Sequence, residues 1–493
     1  MEGNQQGWYA AFAAKDARFD GRFFVGVSST GIYCRPVCRA KLPKIDHCHF
    51  FASAAQAEAA GYRPCLLCRP ELAPGISVTD ATASLAHHAA GLLAETCGSG
   101  QRLPDLAEQL GYTDRHLRRA FAQTFHVSPV RYLQTCRLLL AKSLLTDTNL
   151  PVSDVAVAAG FGSVRRLNDL FRTQYKLSPT ALRRGASGAR EGITLLVGYR
   201  PPYPWQAMLA FLSGRAIRGV EAVASGEYLR TLRMAVPGQG EVCGWVRVGH
   251  RPEKNCLAVT LSLELLPVLP QVLARVRHTF DLSCDPHAIA EVLGAMDDLR
   301  PGLFVLGTRL PGCFDGFELS VRAVLGQQIT VKAASTLAAR LVAAHGTPID
   351  TGIVELTHAF PRPETLLALG EGITEHLGQL GIISARSRSV LALARLFAEN
   401  PLPLGHCTDP RAQIARLVAL PGIGAWTAHY IAMRTMGWTD AFLETDAAIK
   451  KALVPHTATD MLALAEAWRP WRSYATICLW NSLTTQGGTP CTT

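Results

Sequence analysis

The chain has 493 residues, room for about three or four domains. Hydrophobic residues make up 48% and Asp, Glu, Lys and Arg together 18%, which excludes a disordered chain and leaves apolar material for several cores. Lys and Arg number 49 against 39 Asp and Glu, and the excess is uneven: residues 1–190 hold 23 basic and 14 acidic side chains, residues 191–493 hold 26 and 25, so the positive charge gathers at the front, as on a surface that meets a polyanion.

Met1–Ala10 (MEGNQQGWYA) has no apolar core and no cleavage-like site, so no secretory signal is expected. No run approaches the roughly 18 apolar residues of a membrane span. A cytoplasmic chain is therefore expected, and its 14 cysteines, dense at the front, point to a metal or a reactive thiol more than to disulfides. Composition breaks at Leu72–Val78, at the small flexible stretch Arg183–Gly192 and at Cys284–Pro286 divide the chain into 1–78, 79–185, 193–284 and 285–493.

Cys34-Arg-Pro-Val-Cys38 and Cys65-Leu-Leu-Cys68 are two tight cysteine pairs, spaced so that each grips one side of a tetrahedral Zn²⁺. His47, Cys48 and His49 are competing ligands by type, expected instead at the surface or beside the ligands. Spacing alone would favour a structural site. The flanks, Thr30-Gly-Ile-Tyr-Cys34-Arg-Pro-Val-Cys38-Arg-Ala and Gly61-Tyr-Arg-Pro-Cys65-Leu-Leu-Cys68-Arg-Pro-Glu, resemble the N-terminal domain of the Ada adaptive-response regulators over about residues 7–75. That resemblance implies that Cys34 accepts a methyl group from a methylphosphotriester in DNA. Arg35, Arg39, Arg63 and Arg69 flank the cluster as candidate phosphate contacts, or as solvated side chains.

Residues 104–133 and 152–183 repeat one plan: a helix, a glycine turn (Gly111, Gly160), a second helix and a Ser-Pro tail. The second helices expose Arg115, His116, Arg118 and Arg119, and then Ser163, Arg165, Arg166 and Asn168, where a recognition helix meets the major groove. The pair resembles the AraC-type DNA-binding domain over about 80–184.

Between 193 and 283, runs such as ITLLVGY, EYLRTLRMAV, GWVRVGH and CLAVTLSL read as strands, with one helix at about 204–216. From 286 onward the pattern is almost wholly helical. There Leu420-Pro-Gly-Ile-Gly424 joins two helical stretches, and its Gly422 and Gly424 turn backbone N–H groups toward a DNA phosphate. Asp446, twenty residues after Trp426, falls near a helix start, where the dipole favours a carboxylate. Hairpin and aspartate together resemble the helix-hairpin-helix glycosylases, and the DNA-3-methyladenine glycosylase II family in particular over about 193–485. Tyr199-Arg-Pro-Pro-Tyr-Pro-Trp205, Arg309-Leu-Pro-Gly-Cys313, Ala323-Val-Leu-Gly-Gln-Gln328 and Pro470-Trp-Arg-Ser-Tyr-Ala475 carry the likeness further.

This family implies that an alkylated base is flipped out and excised, with Asp446 as the anion beside C1′ of the sugar. It places Trp426, Tyr430, Trp480 and Phe211 in the damaged-base pocket, where aromatic faces attract a cationic base, although plain core packing is the alternative. Gln328 stands where the family inserts a wedge into the duplex, although a better-known relative has an apolar residue there. Strand-cutting relatives carry a lysine where Trp426 stands, so base removal without strand cutting is expected. Only Cys478 and Cys491 lie near the C-terminus, so no iron–sulfur cluster is expected. Carbonyls of Val418, Leu420 and Ile423 are candidate Na⁺ or K⁺ ligands at the hairpin. No Pro-Cys-His-Arg motif occurs, so repair at guanine O6 is not expected.

The expected architecture is multidomain α+β: a small α/β domain built on zinc and four cysteines, an all-α tandem helix-turn-helix domain, a strand-rich α+β lobe and all-α helix-hairpin-helix lobes. Expected partners are double-stranded DNA, both alkylated and promoter, and RNA polymerase. A bacterial, nucleoid-associated monomer is expected. Two rival readings remain open: a pure regulator whose rear half only binds DNA, and a glycosylase whose zinc is purely structural.

Overall fold

The computed structural model describes residues 5–74, 85–98, 102–183, 192–236, 240–405, 407 and 409–484. Helix α1 (Gln5–Ala13) packs on a four-stranded sheet of order β3-β1-β2-β4, from β1 (Phe24–Val27), β2 (Ile32–Cys34), β3 (Cys48–Phe51) and β4 (Arg63–Pro64). Strands β2 and β4 run parallel, with Tyr33 beside Pro64. That register sets the next residue of each strand, Cys34 and Cys65, side by side, and so closes 30 residues of sequence into one cluster. Trp8, Phe12 and Phe23 cover it, the Trp8 and Phe23 rings stacked at 5.3 Å. The short helix α2 (Ala54–Ala59) closes the far side of the sheet.

Among the described residues seven helices follow: α3 (Leu85–Glu95), α4 (Leu103–Gln109), α5 (Asp114–Phe125), the long α6 (Pro129–Asp147), α7 (Val152–Ala158), α8 (Val164–Tyr175) and α9 (Pro179–Leu182). Thr113 and Ser163 cap the two second helices, accepting from the His116 and Arg166 N–H groups at 3.3 and 3.1 Å. Gly111 and Gly160 sit at φ +76° and +77°, the left-handed conformation that the tight turn demands.

The strand-rich lobe is an antiparallel sheet of order β5-β9-β8-β7-β6: β5 (Ile193–Gly198), β6 (Glu221–Ala224), β7 (Glu227–Val236), β8 (Gly240–Arg251) and β9 (Cys256–Leu261). It is flanked by α10 (Trp205–Ser213) and α11 (Leu269–Thr279). The remaining helices are α12 (Pro286–Leu293), α13 (Gly316–Leu325), α14 (Val331–His345), α15 (Pro363–Leu367), α16 (Ile373–Gln379), α17 (Ser384–Glu399), α18 (Pro410–Val418), α19 (Ala425–Thr435), α20 (Ala447–Ala452), α21 (Ala458–Glu466) and α22 (Arg472–Thr484). One short pair, β10 (Thr347–Pro348) with β11 (His358–Ala359), interrupts this almost wholly helical region: two-residue strands carry too little alternation to show in sequence.

The front and rear halves are not beads on a string. One continuous hydrophobic core runs from Leu138, Leu145, Phe161 and Tyr175 through Leu195, Val259, Val272 and Phe314. At Gly198 the fit is so close that a Cβ would lie 1.9 Å from the Leu72 carbonyl oxygen. Arg22 at the front ion-pairs with Asp285, which also caps α12 through the His287 and Ala288 N–H groups.

Candidate functional site

The Cys34, Cys38, Cys65 and Cys68 Sγ atoms lie within 4.8 Å of one another, and His47, Cys48 and His49 stand outside the group. A Zn²⁺ with bonds of about 2.3 Å wants sulfurs about 3.8 Å apart, so the donor set fits. Cys34, Cys38 and Cys65 are buried and Cys68 is half-buried. The thiols alone share protons unevenly: contact with Cys38 pushes Cys34 up, and contact with Cys34 pulls Cys65 down. A bound divalent cation is what makes all four thiolates at once. The Arg35 N–H also donates to Cys68 Sγ at 3.3 Å.

The Arg35 side chain departs from expectation. It is buried, its guanidinium ion-pairs with Asp20 and donates to the Cys68 carbonyl at 3.1 Å, so it braces the cluster from inside and does not stand free at the surface. Arg69 is likewise tied to Asp147 and Glu71. Arg63 is half-buried and Arg39 exposed. On the recognition faces Arg115, Arg118, Arg119, Arg165 and Arg166 are all exposed. Arg118 pairs with Asp114 at 2.9 Å, a surface contact weak enough to exchange for a phosphate.

In the rear half Asp446 caps α20 and is buried, and four N–H groups fix its carboxylate. Oδ1 accepts from Ala448 and Ile449 at 3.0 Å and from the Trp480 indole at 3.1 Å; Oδ2 accepts from the Trp426 indole at 3.2 Å. Such an oriented anion between two indoles suits a developing positive charge. The Trp426 ring stacks on Tyr430 at 5.3 Å, and Tyr430 lies 6.4 Å from Trp480. Trp426 and Tyr430 line one cavity with Arg215, Arg322, Leu319 and Ala338.

Phe211 packs against the same core as Trp426, Tyr430 and Trp480, but cations cover its ring. Arg215 lies 3.8 Å over it and Arg434 4.9 Å, so its face is already taken by protein guanidiniums. Burial alone would raise the Tyr430 phenol, but Arg434, Arg215 and Arg322 overcome it and hold the group below its ordinary value. These arginines were not legible as site residues, because α10, α13 and α19 converge only in the fold.

The hairpin Ala419–Gly424 links α18 and α19. Gly422 has φ +76°, and a Cβ there would meet Ser389 Oγ at 2.3 Å, while Ser389 itself donates to the Pro421 carbonyl at 2.7 Å. Gly424 is exposed and opens α19. The Leu420 carbonyl accepts the Ile423 N–H at 3.2 Å, and Val418 closes α18. Gln328 is exposed at φ +57°, at the tip between α13 and α14. Its neighbour Gln327, which sequence reasoning passed over, donates to the Gly422 carbonyl at 2.9 Å and to Thr427 Oγ1 at 3.1 Å, tying that tip to the hairpin.

Family models match in three places: the metal binding domain of Ada over residues 7–71, a helix-turn-helix domain over 106–185, and the AlkA N-terminal domain over 194–315. A "Probable bifunctional transcriptional activator/DNA repair enzyme AlkA" of Mycobacterium tuberculosis is 38% identical over 487 residues, covering 96% of each chain. "DNA-3-methyladenine glycosylase 2" of Escherichia coli is 37% identical over 284 residues, 58% of this chain and 95% of that one. The E. coli "Bifunctional transcriptional activator/DNA repair enzyme Ada" is 35% identical over 134 residues, 27% of this chain and 36% of that one. With a four-cysteine zinc centre at its front, the chain belongs to the bifunctional transcriptional activator/DNA repair proteins that join an Ada-type front to an AlkA-type rear.

Proposed function

We propose that the chain answers DNA alkylation twice, as a methyl-triggered transcriptional activator and as a glycosylase that removes alkylated bases. The observation that carries this reading is the pairing, on one polypeptide, of a four-cysteine centre with an aspartate gripped by two indoles, separated by a basic tandem helix-turn-helix.

At the front, a Zn²⁺ held by Cys34, Cys38, Cys65 and Cys68 would keep their four sulfurs as thiolates at neutral pH. The Cys34 sulfur attacks the methyl carbon of a neutral methylphosphotriester. An S–CH3 bond forms, the CH3–O bond breaks, and its electron pair stays on the phosphate as the ordinary diester anion. The cluster loses one negative charge, repels the DNA backbone less, and binds it more tightly. Arg115, Arg118, Arg119, Arg165 and Arg166 supply contacts to promoter DNA, and RNA polymerase is the partner that an activator requires. The working form is a monomer. Among the described residues no helix is long and apolar enough to cross a membrane.

At the rear, an alkylated purine is flipped out against Trp426, Tyr430 and Trp480. As its bond to C1′ breaks, the electron pair leaves with the cationic base and the sugar becomes cationic beside Asp446. Water then adds to C1′ and sheds a proton. Trp426 offers no amine, so the product is an abasic site on an unbroken strand, and borohydride should trap no enzyme–DNA adduct. Gly422 and Gly424 would hold a phosphate, Gln328 would enter the gap, and carbonyls of Val418, Leu420 and Ile423 would hold an alkali ion.

Release of 3-methyladenine from methylated DNA tests the rear half. Asp446→Asn should lower the rate by on the order of a hundredfold or more. Equal release by both proteins would remove Asp446 from its role, and release by neither would leave only the regulator. For the front half, mass spectrometry after exposure to methylphosphotriester DNA should find one added methyl on Cys34, and no adduct would make the zinc purely structural.

A further inference from the structure

Glu58, in the last turn of α2, is only 2% exposed, and among the described residues no cation touches its carboxylate. Three hydroxyls from three elements do. Oε1 accepts from Tyr33 of β2 at 3.1 Å and from Tyr175 of α8 at 3.2 Å, and Oε2 accepts from Thr135 of α6 at 2.8 Å. Its backbone carbonyl accepts from Gln174 of α8 at 2.8 Å and from Arg131 of α6 at 3.2 Å. Burying a carboxylate with no cation against it is costly even when hydroxyls satisfy its oxygens, so a group kept here needs a reason.

Its place supplies one. Tyr33 adjoins the acceptor Cys34, and Tyr175 ends the second recognition helix. Two further polar links between the acceptor module and the helices, Lys142 to Glu71 at 2.6 Å and Arg69 to Asp147 at 2.7 Å, stop at α6. Among the described residues, the links that reach α8 converge on Glu58, apart from Gln174 to the Tyr62 carbonyl at 3.3 Å. The repeat carries the same message. Leu117, Phe121 and Phe125 of α5 correspond by spacing to Leu167, Phe171 and Tyr175 of α8. The copy whose helix end reaches Glu58 has gained a phenol oxygen, whereas the first copy, which meets the acceptor module through apolar contact with Ala55, has plain phenylalanine.

We propose that Glu58 is the positioning residue that locks the methyl-acceptor module onto the second helix-turn-helix, so that methyl capture at Cys34 is read out as tighter promoter binding. This rests on the activator reading above. Losing a negative charge at Cys34 strengthens contact with one phosphate, on any sequence. The gain becomes specific when that phosphate and the bases under α8 are engaged together, which requires a fixed spacing between the two contacts. Loosening the joint lowers the effective concentration of one contact relative to the other without touching either.

The test uses the full chain, Glu58→Gln and Tyr175→Phe, the second altering one hydroxyl outside the zinc module. The probe is a duplex selected from a random pool by the methylated wild type. Affinity for it is measured before and after methylation of Cys34, together with zinc content and the rate of methyl transfer from an unrelated duplex. Both variants should keep zinc and transfer rate, while the methylation gain in affinity falls by at least about threefold. A full gain in both variants overturns the proposal, and so does loss of zinc or of methyl transfer in Tyr175→Phe, which would make the node mere scaffolding of the metal module. A wild type with no gain would sink the activator reading, and this proposal with it.

Discussion

The two helix-turn-helix copies share a plan and differ in what holds them. In the first, Leu106, Leu117, Phe121 and Phe125 pack with α3 and with Ala55 of α2 in a small core separate from the large one. In the second, Val155, Leu167, Phe171 and Tyr175 belong to the large core that continues into the strand-rich lobe. The turn glycines show the consequence. A Cβ on Gly111 would meet nothing within 4 Å, whereas one on Gly160 would lie 2.2 Å from the Cys97 carbonyl oxygen. Gly111 is required by its backbone angle alone, Gly160 by angle and by packing. Duplicated sequence therefore does not mean duplicated energetics.

Gly160→Ala should sharpen this contrast most. We expect it to destabilise the chain by about 3 kcal/mol or more, against about 1 kcal/mol for Gly111→Ala, in denaturant titrations. Equal losses would break the contrast. Next comes the Glu58 carboxyl beneath the second copy, which burial raises to about 7 against the hydroxyl donors that lower it. A carboxyl with a raised value favours the fold while protonated. Its contribution is complete below the ordinary 4.5 and is lost as pH rises through about 7. Between these limits wild type should lose on the order of 2 kcal/mol relative to Glu58→Gln, and a pH-independent difference would assign the titration elsewhere. The smallest effect is on DNA. Arg118→Ala and Arg165→Ala should each lower the salt slope of binding by about 1, with stability changing by less than about 1 kcal/mol. A slope that moves for only one of them would mean that only one copy touches DNA.

Much of this molecule is legible from short-range pattern. Cysteine spacing, the repeated glycine turn and the interval from Trp426 to Asp446 each report local geometry, and strand and helix periodicity marked out the lobes. What stayed hidden depends on residues far apart in the chain. Arg35 reads as one of four similar arginines, yet it is the one swallowed by Asp20. Gln327 and Gln328 are adjacent glutamines, and only the fold shows that one ties the tip to the hairpin while the other is exposed. The Trp480 indole reaches Asp446 across 34 residues, a link that no spacing rule encodes.

The unbroken core that joins the second helix-turn-helix to the strand-rich lobe has a practical corollary at the seam between them. Severing the chain at that seam would leave two pieces, each with an oily flank shaped for the other, and both prone to clump. A gene split here would have to recode flank residues such as Leu138, Leu145, Leu195 and Val272 toward polarity before either product stayed dispersed, so the joint has become a barrier to undoing the merger.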